Sequence, residues 1–487
     1  MKRFKNTGSL FVNIVVYLYI LLFVYAAVSK LLEFRDFQTQ LGQSPILGAY
    51  AEVISYGVII SELLCAVLLL IERYKKAGLY FAFVLMAMFT AYIIIILNFS
   101  SYTPCSCGGV LESMGWTEHL VFNTVFLLMA VVALVLEHPI AIKKTIIILL
   151  GLLITALGIM TVLFFLSDQE IKRNNGFQRK YIPHALENLG SYQLESNAFY
   201  LAGADGKNFY LGNYNAPLYL KAISKDLKTA NEVRIEIDNY NLPFKRVRIK
   251  VQPSLFFVGD GTVPILFRGK TKDWKAQTFS YKDAYFNQFE VVDTSHLVIG
   301  THHPRKKYNL IGALTKYNDR ITSEVSDEIL HFQADGTFDT DGILLWNEEN
   351  RQILYVYYYR NQFEVAGQDL NYIYTGKTID TLSKAKLNVA YHQKNDTYQL
   401  GKAVMVNRLA TVWGNRLYIV SDRLGKFEND KAIQSAGIID QYDLSQKEYV
   451  RSFYFYHQRN EKIREISVFN DTMVALVNDQ LWLKKMK

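Results

Sequence analysis

The sequence predicts a multi-domain membrane protein: an α-helical transmembrane bundle of four helices plus a fifth span, followed by an all-β domain, read as a six-bladed β-propeller. Three observations predict it. Apolar runs of about 20 residues, long enough to cross a bilayer, are concentrated in residues 8–166. Residues 167–487 have ordinary globular polarity and consist of short alternating runs rich in aromatic residues, the pattern of strands. All three cysteines fall before residue 167, so the polar part has no disulfide framework and folds on its own core.

The spans are expected near 9–31, 50–71, 77–98, 118–137 and 145–166. The first is preceded by Lys2, Arg3 and Lys5 and ends in Tyr25-Ala26-Ala27, a signal-peptide-like arrangement. Its apolar run is too long for a signal peptide, and further spans follow, so it is read as retained. Lys and Arg alternate between loops: Arg73, Lys75 and Lys76 follow span two, and Lys143 and Lys144 follow span four, whereas the other two loops carry Lys30 and Arg35 in one and none in the other, residues 99–117. This alternation places the N-terminus in the cytoplasm and the C-terminal domain outside, which in a two-membrane bacterium is the periplasm. The net charge is +8, and several Lys and Arg sit beside apolar segments where charge sets orientation, so no nucleic-acid partner is expected and the bilayer is the first one.

The domains follow: a four-helix membrane domain at 1–140, a fifth helix and linker at 141–170, and a β-rich domain at 171–487. Strand groups begin near 197, 253, 287, 343, 407 and 464, with turn signals such as Asp205-Gly206, Asp260-Gly261 and Asp335-Gly336 between runs. A recurrence of roughly 35–65 residues brackets the period of a propeller blade.

Chemistry points first to the third loop, Pro104-Cys105-Ser106-Cys107-Gly108-Gly109. Two cysteines one residue apart can close a small strained ring, and strain favours reduction. Gly108 and Gly109 permit close approach of a partner sulfur. Thiol exchange, a stapled loop and capture of a soft ion such as Cu(I) are the three readings of this pair. Glu62 stands inside span two, where a carboxyl is costly and is either paired or functional; a proton or quinone role is one reading and interhelical hydrogen bonding the other. Tyr25, Ser29, Thr90 and Tyr92 are its expected neighbours, with Lys30 placed too near the outer surface for a direct pair, though its side chain could snorkel. Cys65, one turn further in, reads as a packing residue. Thr117 is a candidate cap for span four, and His119 could assist thiolate formation at Cys105 or Cys107. His302-His303-Pro304 reads as a solvated turn, and no metal site is expected. No GxSxG, P-loop, dinucleotide or HExxH motif is present.

Four spans, the CxCGG-type loop between spans three and four, the run Tyr25-Ala26-Ala27-Val28-Ser29-Lys30-Leu31 and the segment Ser61-Glu62-Leu63-Leu64 together resemble the DoxX/MauE family over about residues 8–138. The family is described as redox-associated, and MauE proteins are associated with disulfide formation in a periplasmic enzyme subunit. The resemblance implies that Cys105 and Cys107 are the exchange pair. The fifth span and the β-domain lie outside it and suggest a further partner. Dithiol exchange across the bilayer needs a second cysteine pair, which this sequence lacks, so electrons would leave through a bound quinone or another protein. The leading expectation is an inner-membrane thiol–disulfide oxidoreductase acting on a periplasmic protein client that the β-domain recruits. The rival is a non-enzymatic, membrane-anchored β-scaffold of a cell-envelope complex.

Overall fold

The computed structural model describes every residue except 1, 44–46, 48–49, 100–114, 138–141, 307, 319, 393–396 and 430. The chain divides into two compact units, residues 1–172 with 386–404, and residues 173–385 with 405–487.

The first unit contains helices α1 (Lys2–Leu32), α2 (Phe34–Gln43), α3 (Ala51–Leu70), α4 (Lys75–Phe99), α5 (Trp116–Glu137) and α6 (Ile142–Lys172). Five of them contain segments long and apolar enough to cross a membrane: Ser9–Leu32, Ala51–Leu70, Glu72–Ile95, Trp116–Glu137 and Ile142–Leu166. Their apolar character extends around the helix, as expected where one side meets other helices and the other meets lipid. The inward sides are rich in small residues: Ala66, Ala82, Ala130 and Ala133 are buried among Tyr19, Phe23, Phe83 and Leu134. Without a hydrophobic driving force between helices in lipid, close backbone approach of this kind supplies the packing. Gly78 is one such point, because a Cβ there would meet the Leu69 side chain. Tyr19 ties α1 to α5 by donating its hydroxyl to Phe126 O at 2.6 Å.

One stretch departs from the simple order of helices followed by strands. The hairpin Leu387–His392 and Thr397–Ala403 joins no other sheet and lies beside α2 within the first unit.

The second unit is all-β. Phe199–Ala204, Asn208–Asn213, Tyr219–Ser224 and Ala230–Arg234 form one antiparallel meander, and Arg248–Gln252, Leu255–Asp260, Ile265–Lys270 and Lys275–Tyr281 form the next. A parallel contact between Gly203 and Val251 joins them into a nine-stranded sheet edged by Glu236–Ile237. A side chain at position 203 would strike the Val251 backbone, so only glycine allows this approach. Further four-stranded meanders occupy 288–326, 342–377 and 409–456. The last sheet combines Ile463–Phe469, Thr472–Val477 and Gln480–Met486 with Leu186–Gln193 from the start of the unit. The strand groups therefore start at Phe199, Arg248, Gln288, Gly342, Leu409 and Ile463, within a few residues of the expected positions.

Each meander packs on its successor. Ile299 and Leu314 meet Phe257 and Leu266, Leu354 and Val365 meet Leu417 and Ile419, and Val420 and Phe455 meet Ile463 and Met473. Leu476 and Leu481 of the last sheet pack against Leu211 and Ile223 of the first. Central strands are consequently buried on both faces, which explains continuous apolar runs such as Leu297-Val298-Ile299 where a one-sided sheet would alternate.

Candidate functional site

The candidate site within the helix bundle is built from α1, α3 and α5. On α3 the buried positions are Ser55, Ile59, Glu62, Cys65, Ala66 and Leu69, a stripe at helical spacing that turns Glu62 inward. On α1, Lys30 lies in the last turn and reaches back along its helix. Its ammonium meets Glu62 Oε1 at 2.7 Å, with Glu62 1% exposed and Lys30 13% exposed. The expectation that Lys30 is too close to the surface for a direct pair is thus corrected: the four-carbon stem is long enough to bring the charge inward. The ammonium also lies over the Phe37 ring at 5.6 Å. Of the other expected neighbours, Thr90 donates to Met86 O in its own helix.

His119 lies in the first turn of α5, and its backbone N–H donates to Gly115 O at 2.9 Å. Glu118 holds this helix start by accepting the Gly115 N–H on Oε2 at 2.8 Å. Thr117, expected as the cap, is inside the helix instead. Trp116, three residues before His119, packs in the same cluster as Ala27 of α1 and Ile59 of α3, which stand three residues before Lys30 and Glu62. Lys30 is therefore the partner of Glu62, at the end of the bundle that also carries His119; its position near the span end argued against it in the sequence, although a basic residue still within an apolar span was a signal. Glu62 Oε2 and His119 Nδ1 are both buried and have no hydrogen-bond partner among the described residues. The group thus combines a compensated carboxyl, a cation, an unsatisfied oxygen and an unsatisfied ring nitrogen, a set suited to holding or passing a proton.

Cys65 points elsewhere. It is fully buried and its thiol contacts Gly78 O at 3.6 Å, the position of a packing residue. Cys105 and Cys107 lie outside the described residues. In sequence they fall between α4 and α5, ahead of the helix turn that carries His119. In the β unit, His303 Nδ1 accepts the N–H groups of Arg305 and Lys306 at 3.1 and 3.0 Å, making it part of a local turn. Among the described residues no group of three or more His, Cys, Asp or Glu side chains is placed to hold a metal.

A bundle of membrane-spanning helices with an intramembrane charge pair, joined to an all-β domain, is the class that these features define. Residues 8–136 match the family described as methylamine utilisation protein MauE, which covers the first four spans and includes Lys30, Glu62, Cys105, Cys107 and His119. No curated protein matches the chain. Among solved structures the chain is similar to a member of the DUF4221 family from Bacteroides vulgatus, with 9% identity and a TM-score of 0.43, over 64% of this chain and 99% of that one. It is also similar to the β-propeller domain of Cps50 (Swd1) from Myceliophteria thermophila, with 6% identity and a TM-score of 0.36, over 62% of this chain and 100% of that one.

Proposed function

We propose that this protein is an inner-membrane thiol–disulfide oxidoreductase. Cys105 and Cys107 exchange with a periplasmic client, and the β-domain, a six-bladed propeller, recruits it. The observation that carries the reading is the Lys30–Glu62 pair in the bundle, with Glu62 Oε2 and His119 Nδ1 left without partners among the described residues, in a chain whose cysteine pair precedes His119 by little more than ten residues in sequence. The match of residues 8–136 to MauE supports it, as does the alternation of loop charge, which favours a cytoplasmic N-terminus and an external β-domain. The succession of meanders, each packed on the next and the last on the first, supports the propeller.

The exchange balances as follows. A client thiolate attacks one sulfur of the Cys105–Cys107 disulfide, forming a mixed disulfide and releasing the other cysteine as a thiolate. The second client thiolate then attacks the client sulfur of that mixed disulfide. The client gains a disulfide, and the Cys105–Cys107 pair leaves as a dithiol holding two electrons and two protons. Reoxidation passes both to an acceptor, of which a membrane quinone is the expected class. Lys30 and His119 could bind a carbonyl of such an acceptor, and Glu62 and His119 could carry the protons.

The test is thiol trapping in cells, with Cys107→Ser and Cys105→Ser chains compared to the native one. A single Ser variant should accumulate a mixed disulfide with its client, and the native pair should be partly oxidised. If both native thiols stay reduced under oxidant, and the double Ser variant leaves every client's thiol state unchanged, the membrane-anchored scaffold is the correct description.

A further inference from the structure

The β unit encloses a cavity of about 1250 Å³. Its wall takes residues from the leading strand of each meander, among them Tyr200, Arg248, Gln288, Leu344, Thr411 and Ser467. Some of the charge facing it is already used. Lys250 pairs with Glu290 at 2.7 Å, and Gln288 is satisfied at both ends by Gly342 O and the Leu344 N–H. These contacts tie neighbouring sheets together.

The wall also carries the acids Glu348, which accepts the Trp346 indole N–H at 2.7 Å, and Glu349. Apart from these, a set of basic side chains is held in place with at most loose pairing. Lys245, Arg246 and Arg248 form a run just before and at the start of the strand Arg248–Gln252, all three are exposed, and all three line the cavity. The backbone under the first two is fixed by the buried Asp260, whose Oδ2 accepts the N–H groups of Lys245 and Arg246 at 2.6 and 2.8 Å. Arg248 is held by its flat face, with its guanidinium 4.4 Å from the ring centroids of both Tyr200 and Tyr214. Tyr200 is itself fixed, accepting the Ile249 N–H at 2.9 Å. The acid nearest to Arg248, Glu465, comes no closer than 3.8 Å, and its Oε2 is committed to the Leu201 N–H. Burial pushes the Glu465 carboxyl upward, which weakens it further as a counterion.

A guanidinium stacked on aromatic rings, with only a loose carboxylate contact and the Tyr214 hydroxyl at its edge, is oriented to engage a carboxylate or phosphate. The volume exceeds the roughly 300–1,000 Å³ of small-molecule pockets, and Trp346 and Trp413 add apolar wall for a chain lying across it. We propose that this cavity binds an acidic polypeptide segment, with Arg248 engaging a carboxylate and Lys245 and Arg246 drawing the segment in. The proposal rests on the reading that the β-domain recruits a protein, and it names the chemistry of the recruited surface.

The experiment uses the full-length protein in detergent micelles and a fluorescein-labelled octaglutamate peptide, with octalysine and inorganic tripolyphosphate as the other probes. Octaglutamate should bind and octalysine should not. The Lys245→Gln/Arg246→Gln variant changes only exposed side chains and should weaken binding about tenfold, and adding Arg248→Gln should weaken it further. Arg248→Lys, which keeps the charge and loses the fork, should also weaken it. Lys225→Gln/Lys228→Gln, outside the cavity wall, should have no effect. Octaglutamate binding that is absent, or unchanged in the Lys245→Gln/Arg246→Gln variant, overturns the proposal, as does tripolyphosphate binding more tightly than the peptide. Thiol trapping is read separately, so loss of peptide binding with client exchange intact would reject this inference and leave the redox reading standing.

Discussion

The Lys30 ammonium and the Glu62 carboxylate meet at 2.7 Å in a helix bundle that leaves the Glu62 side chain only 1% exposed. An ion pair in such a place contributes little net stability, because desolvating both charges offsets their attraction, yet removing one partner strands the other. Lys30→Met should therefore lower the stability of the detergent-solubilised protein by about 3–5 kcal/mol, and Glu62→Leu by a similar amount. The double variant Lys30→Met/Glu62→Leu should recover most of the loss. A thermal-unfolding double-mutant cycle with purely additive losses would show that the two side chains do not depend on each other.

Arg179 anchors the segment that follows α6 to the β unit. Its guanidinium is fully buried, donates to both oxygens of Asp440 at 2.7 and 3.0 Å, and pairs with Glu428 at 2.8 Å. Arg423 and Asp380 form a second buried pair nearby. Arg179→Met leaves two acids without their cation and should cost about 3–5 kcal/mol. Limited proteolysis is a direct readout: cleavage between residues 173 and 185 should appear at temperatures where the native chain resists it.

Closure of the β unit depends on its last strand. Gln480–Met486 lies between Thr472–Val477 and Leu186–Gln193 and pairs with both. Ending the chain before residue 480 removes Leu481 and Leu483 from the core and leaves Leu186–Gln193 without its partner. The truncated protein should be degraded in cells and, if recovered, should lack cooperative unfolding of the β unit. A truncated chain that unfolds like the native one would mean that the ring does not need this strand.

Asp341 gives a pH dependence. Burial raises its carboxyl from the ordinary 3.8 to about 6, against the hydrogen bond from Asn309, and Asp335 and Asp339 add to the rise. A carboxyl whose folded pKa lies above its unfolded value binds protons more tightly in the folded state. Its contribution favours folding at low pH and is lost as pH rises from 3.8 through about 6. Asp341→Asn should make the fall in β-unit stability over that window shallower and raise stability at pH 7. An unchanged slope in denaturant titrations would assign the pH dependence to other groups.

Elements whose signal is local were legible in the chain alone. Hydropathy over windows of bilayer length located the membrane helices, because lipid requires each span to satisfy its own backbone and cover it with apolar side chains. Alternation and turn residues located the strand groups, and the anomaly of a carboxyl at position 62 was visible from its neighbours alone. Which distant residues meet emerges from the folded chain and not from local pattern. Lys30 pairs with Glu62 because a flexible stem crosses from one helix to another, a reach that linear position along a span does not reveal. Arg179 finds Asp440 across more than 250 residues, and Arg248 stacks on Tyr200 and Tyr214 from a different meander. The hairpin at 387–403 falls inside the expected β-domain of 171–487, yet it groups with the helical unit, since a strand's pattern specifies its pleat and not the surface it packs on.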